Sequence, residues 1–226
     1  MTRQKKSAYH HGNLKAALIE AGFDFLEADS LDNLSLRAIA KQVGVTPTAA
    51  YNHFADKMAL MVEMKAAAFL KLDAFLRQHV DEAPSNDPDT RMRALARGYI
   101  NFAFEHPGLF NLLFTWTPDK DRFTEELTQS AACGETLMRE TLTDLLRAEG
   151  LNPDHYQQSV ASFSSWSLVH GVTLLLKAGV VDAVTTCHHW PEEFASENRE
   201  SLTRILEHLF TIQIEGLKAT LAKVHP

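Results

Sequence analysis

The chain has little of what most enzyme, export and membrane classes require. Of its 226 residues two are cysteine, Cys133 and Cys187, well separated and without a Cys-x-x-Cys spacing. That excludes a disulfide framework or a thiolate zinc site and suits a reducing compartment. No apolar run approaches the roughly 20 residues of a membrane-spanning helix; the longest, around Leu174 to Leu176, is far shorter. No secretory signal pattern is recognisable. These absences lead us to expect a cytoplasmic protein without a membrane partner.

Catalytic motifs are missing as well. There is no His-Glu-x-x-His, Gly-x-Ser-x-Gly, Gly-x-Gly-x-x-Gly or phosphate-cradling glycine-rich Lys motif, which removes the zinc protease, serine hydrolase, Rossmann and P-loop readings. A di-iron bundle needs Glu three residues before His on two helices, and none of the eleven histidines has one. Cys187-His188-His189 with Glu192-Glu193 holds metal-ligating residue types, but adjacent ligands on one loop converge poorly, and no second cluster completes a site. The expectation is no catalytic residue, no metal and no cofactor.

What is present is apolar content of 45%, enough to bury a full core. The formal charge of -7 is unevenly spread: Met1 to Leu60 carries seven Lys/Arg against six acids, and the remainder carries 15 against 23. Basic groups gather in a leading arm, Arg3-Gln4-Lys5-Lys6, and around residues 35 to 57.

That second stretch is the most informative in the chain. Leu36, Ile39, Ala40 and Val43 recur at helical spacing, with Arg37, Lys41 and Gln42 outside the stripe. Ser35 is placed to cap this helix. Gly44 stands where a left-handed residue ends it, with Val45 as hydrophobic plug. Thr46 caps a second helix whose first position is Pro47, where a fixed backbone angle helps and a missing N–H costs nothing. Thr48, Ala49 and Asn52 leave its leading face free of bulk, so it can enter a major groove about 12 Å wide.

From about Tyr9 to Glu63 the chain resembles the DNA-binding domain of TetR-family transcriptional regulators, through Ser35-Leu36-Arg37-Ala38-Ile39-Ala40, Gly44-Val45, Tyr51-Asn52-His53-Phe54 and Asp56-Lys57. The resemblance implies phosphate contacts from Tyr51, His53 and Lys57, base contacts from Pro47, Thr48, Ala49 and Asn52, and a DNA-facing set completed by Ser35, Arg37 and Thr46. Trp166-Ser167-Leu168-Val169-His170-Gly171 resembles the C-terminal signature of one subgroup. That subgroup often reads Ala-Pro-Tyr-Arg-His-Phe where this chain has Ala49-Ala50-Tyr51-Asn52-His53-Phe54. Asn pairs bidentately with adenine but lacks a guanidinium's fixed charge, so the operator sequence does not transfer.

From Asp56 onward the periodicity is helical and no strand alternation appears. Segments at about 57–80, 89–105, a short piece ending near Trp116, 119–148, one through Val160 to Leu174, and 198–223 bring the total to about nine helices. The fold class expected is all-α, with an arm and helix-turn-helix domain over 1–57 and a helical regulatory and dimerisation domain over 58–226. In the last helix Leu202, Ile205, Leu206, Leu209, Ile212, Leu217 and Leu221 form a stripe with Phe210 and Ile214 beside it, wider than one seam requires. We therefore expect a homodimer formed through the last two long helices.

The body is rich in aromatics. Phe102, Phe104, Phe110, Phe114, Trp116, Phe163 and Trp166, with His170, are candidates to line a cavity for a small apolar or aromatic effector, although aromatics at helical spacing also serve as plain core. The reading is a non-enzymatic, ligand-responsive repressor that binds double-stranded palindromic operator DNA. The competing reading is a helical ligand-binding or assembly protein whose hairpin contacts protein. Operator, effector, target genes and the sign of regulation are not written in the sequence.

Overall fold

The computed structural model describes residues 13–195 and 199–222, and among them all regular structure is helical. The α-helices are α1 (Leu14–Ala28), α2 (Leu36–Val43), α3 (Pro47–Tyr51), α4 (Lys57–Asp81), α5 (Pro88–Glu105), α6 (Pro107–Phe114), α7 (Glu125–Ala148), α8 (His155–Lys177), α9 (Val180–Thr186) and α10 (Arg199–Leu221). The basic arm at residues 3–6 lies outside the described residues. The tenth helix, beyond the nine expected, is α9: Gly179, at φ 66°, ends α8 and the chain restarts as a helix one residue later. Helix α7 begins at Glu125 rather than near Asp119 because residues 120–122 form a separate 3-10 turn.

The packing divides the chain into two compact units. The first comprises the described part of Met1–Ala68 together with Pro107–Thr128. It therefore holds α1 to α3, the opening of α4, and also α6. Helix α6 is seated on α1 by groups far away in sequence. The Glu27 carboxylate accepts from the Gly108 and Leu109 N–H groups at 3.0 and 3.3 Å, supplying negative charge where the helix dipole is positive. At the other end the buried Lys65 ammonium donates to the Leu112 and Leu113 carbonyls at 3.2 and 2.7 Å and to that of Trp116. A side chain at Gly108 would run into the Leu26 carbonyl, so only glycine permits this approach. Burial lowers the Lys65 pKa to about 8.

The second unit comprises Phe69–His106 and the described part of Gln129–Pro226. Its core is built from Leu72, Leu76 and Val80 of α4, Leu95, Tyr99 and Phe102 of α5, Leu142 and Leu145 of α7, and Leu206, Phe210 and Ile214 of α10. Arg93 ties α5 to α10, donating to the Glu207 carboxylate at 2.9 Å, its carbonyl at 3.0 Å and the Thr211 hydroxyl at 3.0 Å.

Helix α8 sits in this unit the reverse way round from an ordinary amphipathic helix. Its buried side is mostly small or polar, made of Gln157, Ala161, Ser162, Ser165 and Thr173 with Val169 and Leu176, while Tyr156, Val160, Phe163, Trp166 and Leu174 are exposed, Tyr156 to 76% and Phe163 to 67%. Helix α10 buries large apolar side chains instead. Phe210 and Ile214, placed beside the apolar stripe by periodicity, are buried together with Leu206 of the stripe, whereas Ile212 within the stripe is 70% exposed. By length and composition α8 is apolar enough to cross a membrane. Its apolarity is split between this unit and an open face.

Candidate nucleic-acid interface

Residues 35 to 54 fold as their sequence dictates. The Ser35 hydroxyl accepts from the Ala38 N–H at 3.2 Å. Gly44 closes α2 at φ 84°, its N–H donating to Ala40 and Lys41 while Val45 N–H also reaches the Ala40 carbonyl, which satisfies carbonyls the helix leaves open. The Thr46 hydroxyl accepts from the Ala49 N–H at 3.3 Å, and Pro47 takes the first position of α3. Leu36, Ile39, Ala40, Ala50 and Phe54 anchor the pair of helices in the first unit's core.

The opposite side of α3 is open. Thr46, Pro47, Thr48, Tyr51, Asn52 and His53 are exposed and Ala49 is half-buried. The protruding surface thus consists of hydroxyls, one carboxamide, an imidazole and a phenol on a helix start without bulk, the shape and chemistry that read base edges. On α2, Arg37 and Lys41 are exposed, four residues apart and so on one face. Neither makes an ion pair among the described residues, so both cations remain available to phosphate. Lys41 was not among the contacts expected from sequence; the signal for it is its spacing from Arg37.

Lys57 is placed differently from the other expected contacts. Its ammonium donates to the Leu31 and Asp32 carbonyls at 2.7 and 3.1 Å, tying the start of α4 to the turn before α2. Next to it, Asp56 accepts from the Ala59 N–H at 2.7 Å and receives both arms of Arg122, at 3.0 and 2.9 Å. The Arg122 fork, chiefly by hydrogen bonding, holds the Asp56 carboxyl below the usual carboxylate range.

The eight candidate pocket residues are divided between the two units. Phe110, Phe114 and Trp116 belong to the first unit, where Phe110 packs on Phe114 at 4.8 Å between ring centroids and Lys65 lies over Trp116. Phe102 is fully buried in the second unit among Phe75 and His106. Phe104 and Phe163 are exposed. Trp166 and His170 join a polar relay with Tyr99: the Trp166 indole N–H donates to the Tyr99 oxygen at 3.4 Å, and the phenol lies 2.8 Å from His170 Nδ1. Indole can only donate, so the Tyr99 oxygen accepts from Trp166, while the tautomer of His170 sets which of phenol and Nδ1 donates to the other. Burial raises the Tyr99 pKa and lowers that of His170. A cavity in the second unit, of about 20 Å³, is lined instead by residues of α5, α7, α8 and α10, and none of the eight contributes to it. Among the described residues no three His, Cys, Asp or Glu side chains gather as a metal site; Cys187, His188 and His189 lie exposed on a turn.

Comparison with known proteins bears on both units. Residues 18–64 match the family model for bacterial regulatory proteins of the tetR family, and residues 92–188 match that for a tetracyclin repressor-like C-terminal domain. The HTH-type transcriptional regulator YobS of Bacillus subtilis, itself uncharacterised, is 26% identical over 165 residues, covering 73% of this chain and 80% of that protein. Among solved structures, a protein of unknown function from Rhodococcus is 26% identical with a TM-score of 0.70, covering 96% of this chain and all of that one. A TetR variant from Acinetobacter baumannii in complex with minocycline shares the fold at a TM-score of 0.52 and 20% identity, covering 94% of this chain and 98% of that one.

Proposed function

Since the chain belongs to the TetR family of transcriptional regulators, DNA-binding proteins rather than enzymes, we propose that it is a homodimeric, ligand-responsive repressor, acting in the cytoplasm without a membrane partner. The observation that carries the reading is the open, small and polar leading face of α3, double-capped at its start and flanked by the exposed Arg37 and Lys41. Two such heads on one dimer fit successive major grooves about 34 to 36 Å apart on a palindromic operator. Thr48, Ala49 and Asn52, with Pro47, face bases; Ser35, Arg37, Thr46, Tyr51 and His53 face the backbone; Lys57 orders the turn behind them.

The dimer forms through the outward faces of α8 and α10. A helix that buries Ala161, Ser162 and Ser165 and leaves Tyr156, Val160 and Phe163 in water is incomplete alone, and a second copy of the same face covers it. This also accounts for the membrane-like composition of α8 without a bilayer.

Effector control follows from the family, whose members bind small molecules as well as operator DNA, and from the chain's connectivity. Helix α4 runs unbroken from the first unit into the second. An effector in the second unit that favours one arrangement of the two heads weakens operator binding by the same factor that operator weakens effector binding, typically ~1–3 kcal/mol. The reading is tested by selecting bound fragments from random duplex DNA and measuring affinity against salt. It expects an inverted repeat bound by two chains, with Tyr51→Ala weakening all sequences and Asn52→Ala altering base preference. Selection of no symmetric sequence overturns it.

A further inference from the structure

Along α8 the serine and threonine hydroxyls are engaged in hydrogen bonds, with one exception. Ser162 donates to the Glu135 carboxylate at 3.4 Å and Ser164 accepts from the Gln213 carboxamide at 2.9 Å. Ser159, Ser167 and Thr173 each donate to the carbonyl four residues earlier, at 2.9, 2.7 and 2.6 Å, as Ser and Thr within helices commonly do. Ser165 does not. It is 5% exposed, and its hydroxyl oxygen is buried without a hydrogen-bond partner, a need that is costly to leave unmet. The same residue lines the cavity of about 20 Å³ in the second unit. Such a space holds about one water.

The walls define what else the cavity accepts. Met92 and Ala96 of α5, Met138 of α7, and Phe210 and Ile214 of α10 are apolar. The two thioethers are unbranched and change rotamer cheaply, so this lining enlarges more readily than one of branched side chains. The one charged residue in the lining is Arg93, and it is already committed, with Asp89 at 2.6 Å and Glu207 at 2.9 Å. Gln213 is engaged with the Ser164 hydroxyl at 2.9 Å. The cavity therefore offers the buried, unpartnered Ser165 hydroxyl, no unspent charge and an adaptable apolar wall.

We propose that this cavity, between α5, α7, α8 and α10, is the effector site, and that it takes a small neutral molecule of about phenol size or less, mostly apolar, with one oxygen that hydrogen-bonds Ser165. The regulatory half of the proposal rests on the effector reading given above. The site's position supplies the means of control: Ser165 and Phe210 lie on the inner sides of α8 and α10, the helices whose outer sides carry Phe163 and Ile212. An occupant that parts these helices changes the surface on which the second copy packs.

The test uses the full chain with phenol, toluene and benzoate as probes, read by calorimetry and by thermal shift, beside operator binding measured with and without phenol. Phenol is expected to bind saturably, toluene more weakly and benzoate not at all. Ser165→Ala, which removes a buried hydroxyl without a partner and so keeps the fold, is expected to weaken phenol by about 3- to 10-fold while leaving toluene unchanged. Ala96→Val, which narrows the cavity, is expected to weaken both. Equal binding of benzoate, indifference of phenol to both variants, or an ordered water with no binding of any probe overturns the site. A chain that binds operator and releases it for a different molecule overturns the site but keeps the repressor reading. Ser165-dependent phenol binding without any operator binding keeps the site and overturns that reading.

Discussion

Two outward surfaces of this protein, on α3 and on α8, are built by opposite rules. On α3 the small and polar residues Thr48, Ala49 and Asn52 lead outward and the apolar Ala50 turns in. On α8 the small and polar residues turn in and Tyr156, Val160 and Phe163 lead outward. An exposed polar helix start beside exposed cations suits a charged, grooved partner; an exposed row of aromatic and branched side chains suits another apolar surface. On the proposed reading the contrast separates the surface that reads DNA from the one that pairs the chains, and each can be broken without touching the other.

The largest effect is expected on the α8 side. Phe163→Glu puts a carboxylate into the proposed seam, where burying an unpaired charge is prohibitive. The dimer dissociation constant should rise by at least about 100-fold, measured by sedimentation equilibrium, with the helical content of the monomer retained because Phe163 supports no core of its own. A dimer of unchanged affinity would place the seam elsewhere.

Next in size is the seat of α6 on α1, within the first unit. Gly108→Ala forces a methyl group against the Leu26 backbone, and backbone yields little, so a loss of about 3 kcal/mol is expected in chemical denaturation. A variant as stable as the parent would show that α6 does not sit in direct contact with the α1 backbone.

Lys65 gives a pH signature of somewhat smaller size. Its pKa is lowered by burial from the ordinary lysine value to about 8, so between that value and the unfolded one the unfolded chain binds more protons. Stability should accordingly rise with pH from about 8 to about 10.4. Lys65→Met should flatten that rise. A fall in stability over this window that depends on Lys65 would mean that the carbonyl ring at the end of α6 outweighs burial.

The smallest effects distinguish roles on the reading head. Arg37→Ala or Lys41→Ala should weaken binding evenly across sequences and reduce the slope of log affinity against log salt by about 1, since each removes one phosphate contact. Thr48→Ala should leave the slope unchanged and cost about 1–3 kcal/mol only on the preferred base. Equal behaviour of the two classes would erase the distinction between gripping and reading.

The order of these effects follows how far apart in sequence the responsible groups lie, and so does legibility. Ser35, Gly44, Thr46 and Pro47 act within four residues of themselves, and each cap and turn could be read directly from the chain. The all-α class was equally plain from periodicity. Periodicity also found the apolar faces of α8 and α10 but not which side turns inward, because that depends on what the small residues Ser162, Ser165 and Thr173 pack against. The seat of α6 was invisible for the same reason: Glu27 and Lys65 reach it across 81 and about 50 positions. Lys57 looks like a phosphate ligand by position, and only the folded turn brings the Leu31 and Asp32 carbonyls to its ammonium. Aromatic content likewise suggested a pocket that composition cannot locate; Phe102 and Phe110 went into two separate cores.

The most direct test of the central claim is the stoichiometry and symmetry of the complex on DNA selected from random duplexes, measured by footprinting together with analytical ultracentrifugation. The account predicts two chains on an inverted repeat whose half-site centres lie about one helical turn apart, with protection lost in the Phe163→Glu monomer. A single chain protecting an asymmetric site with full affinity would contradict it.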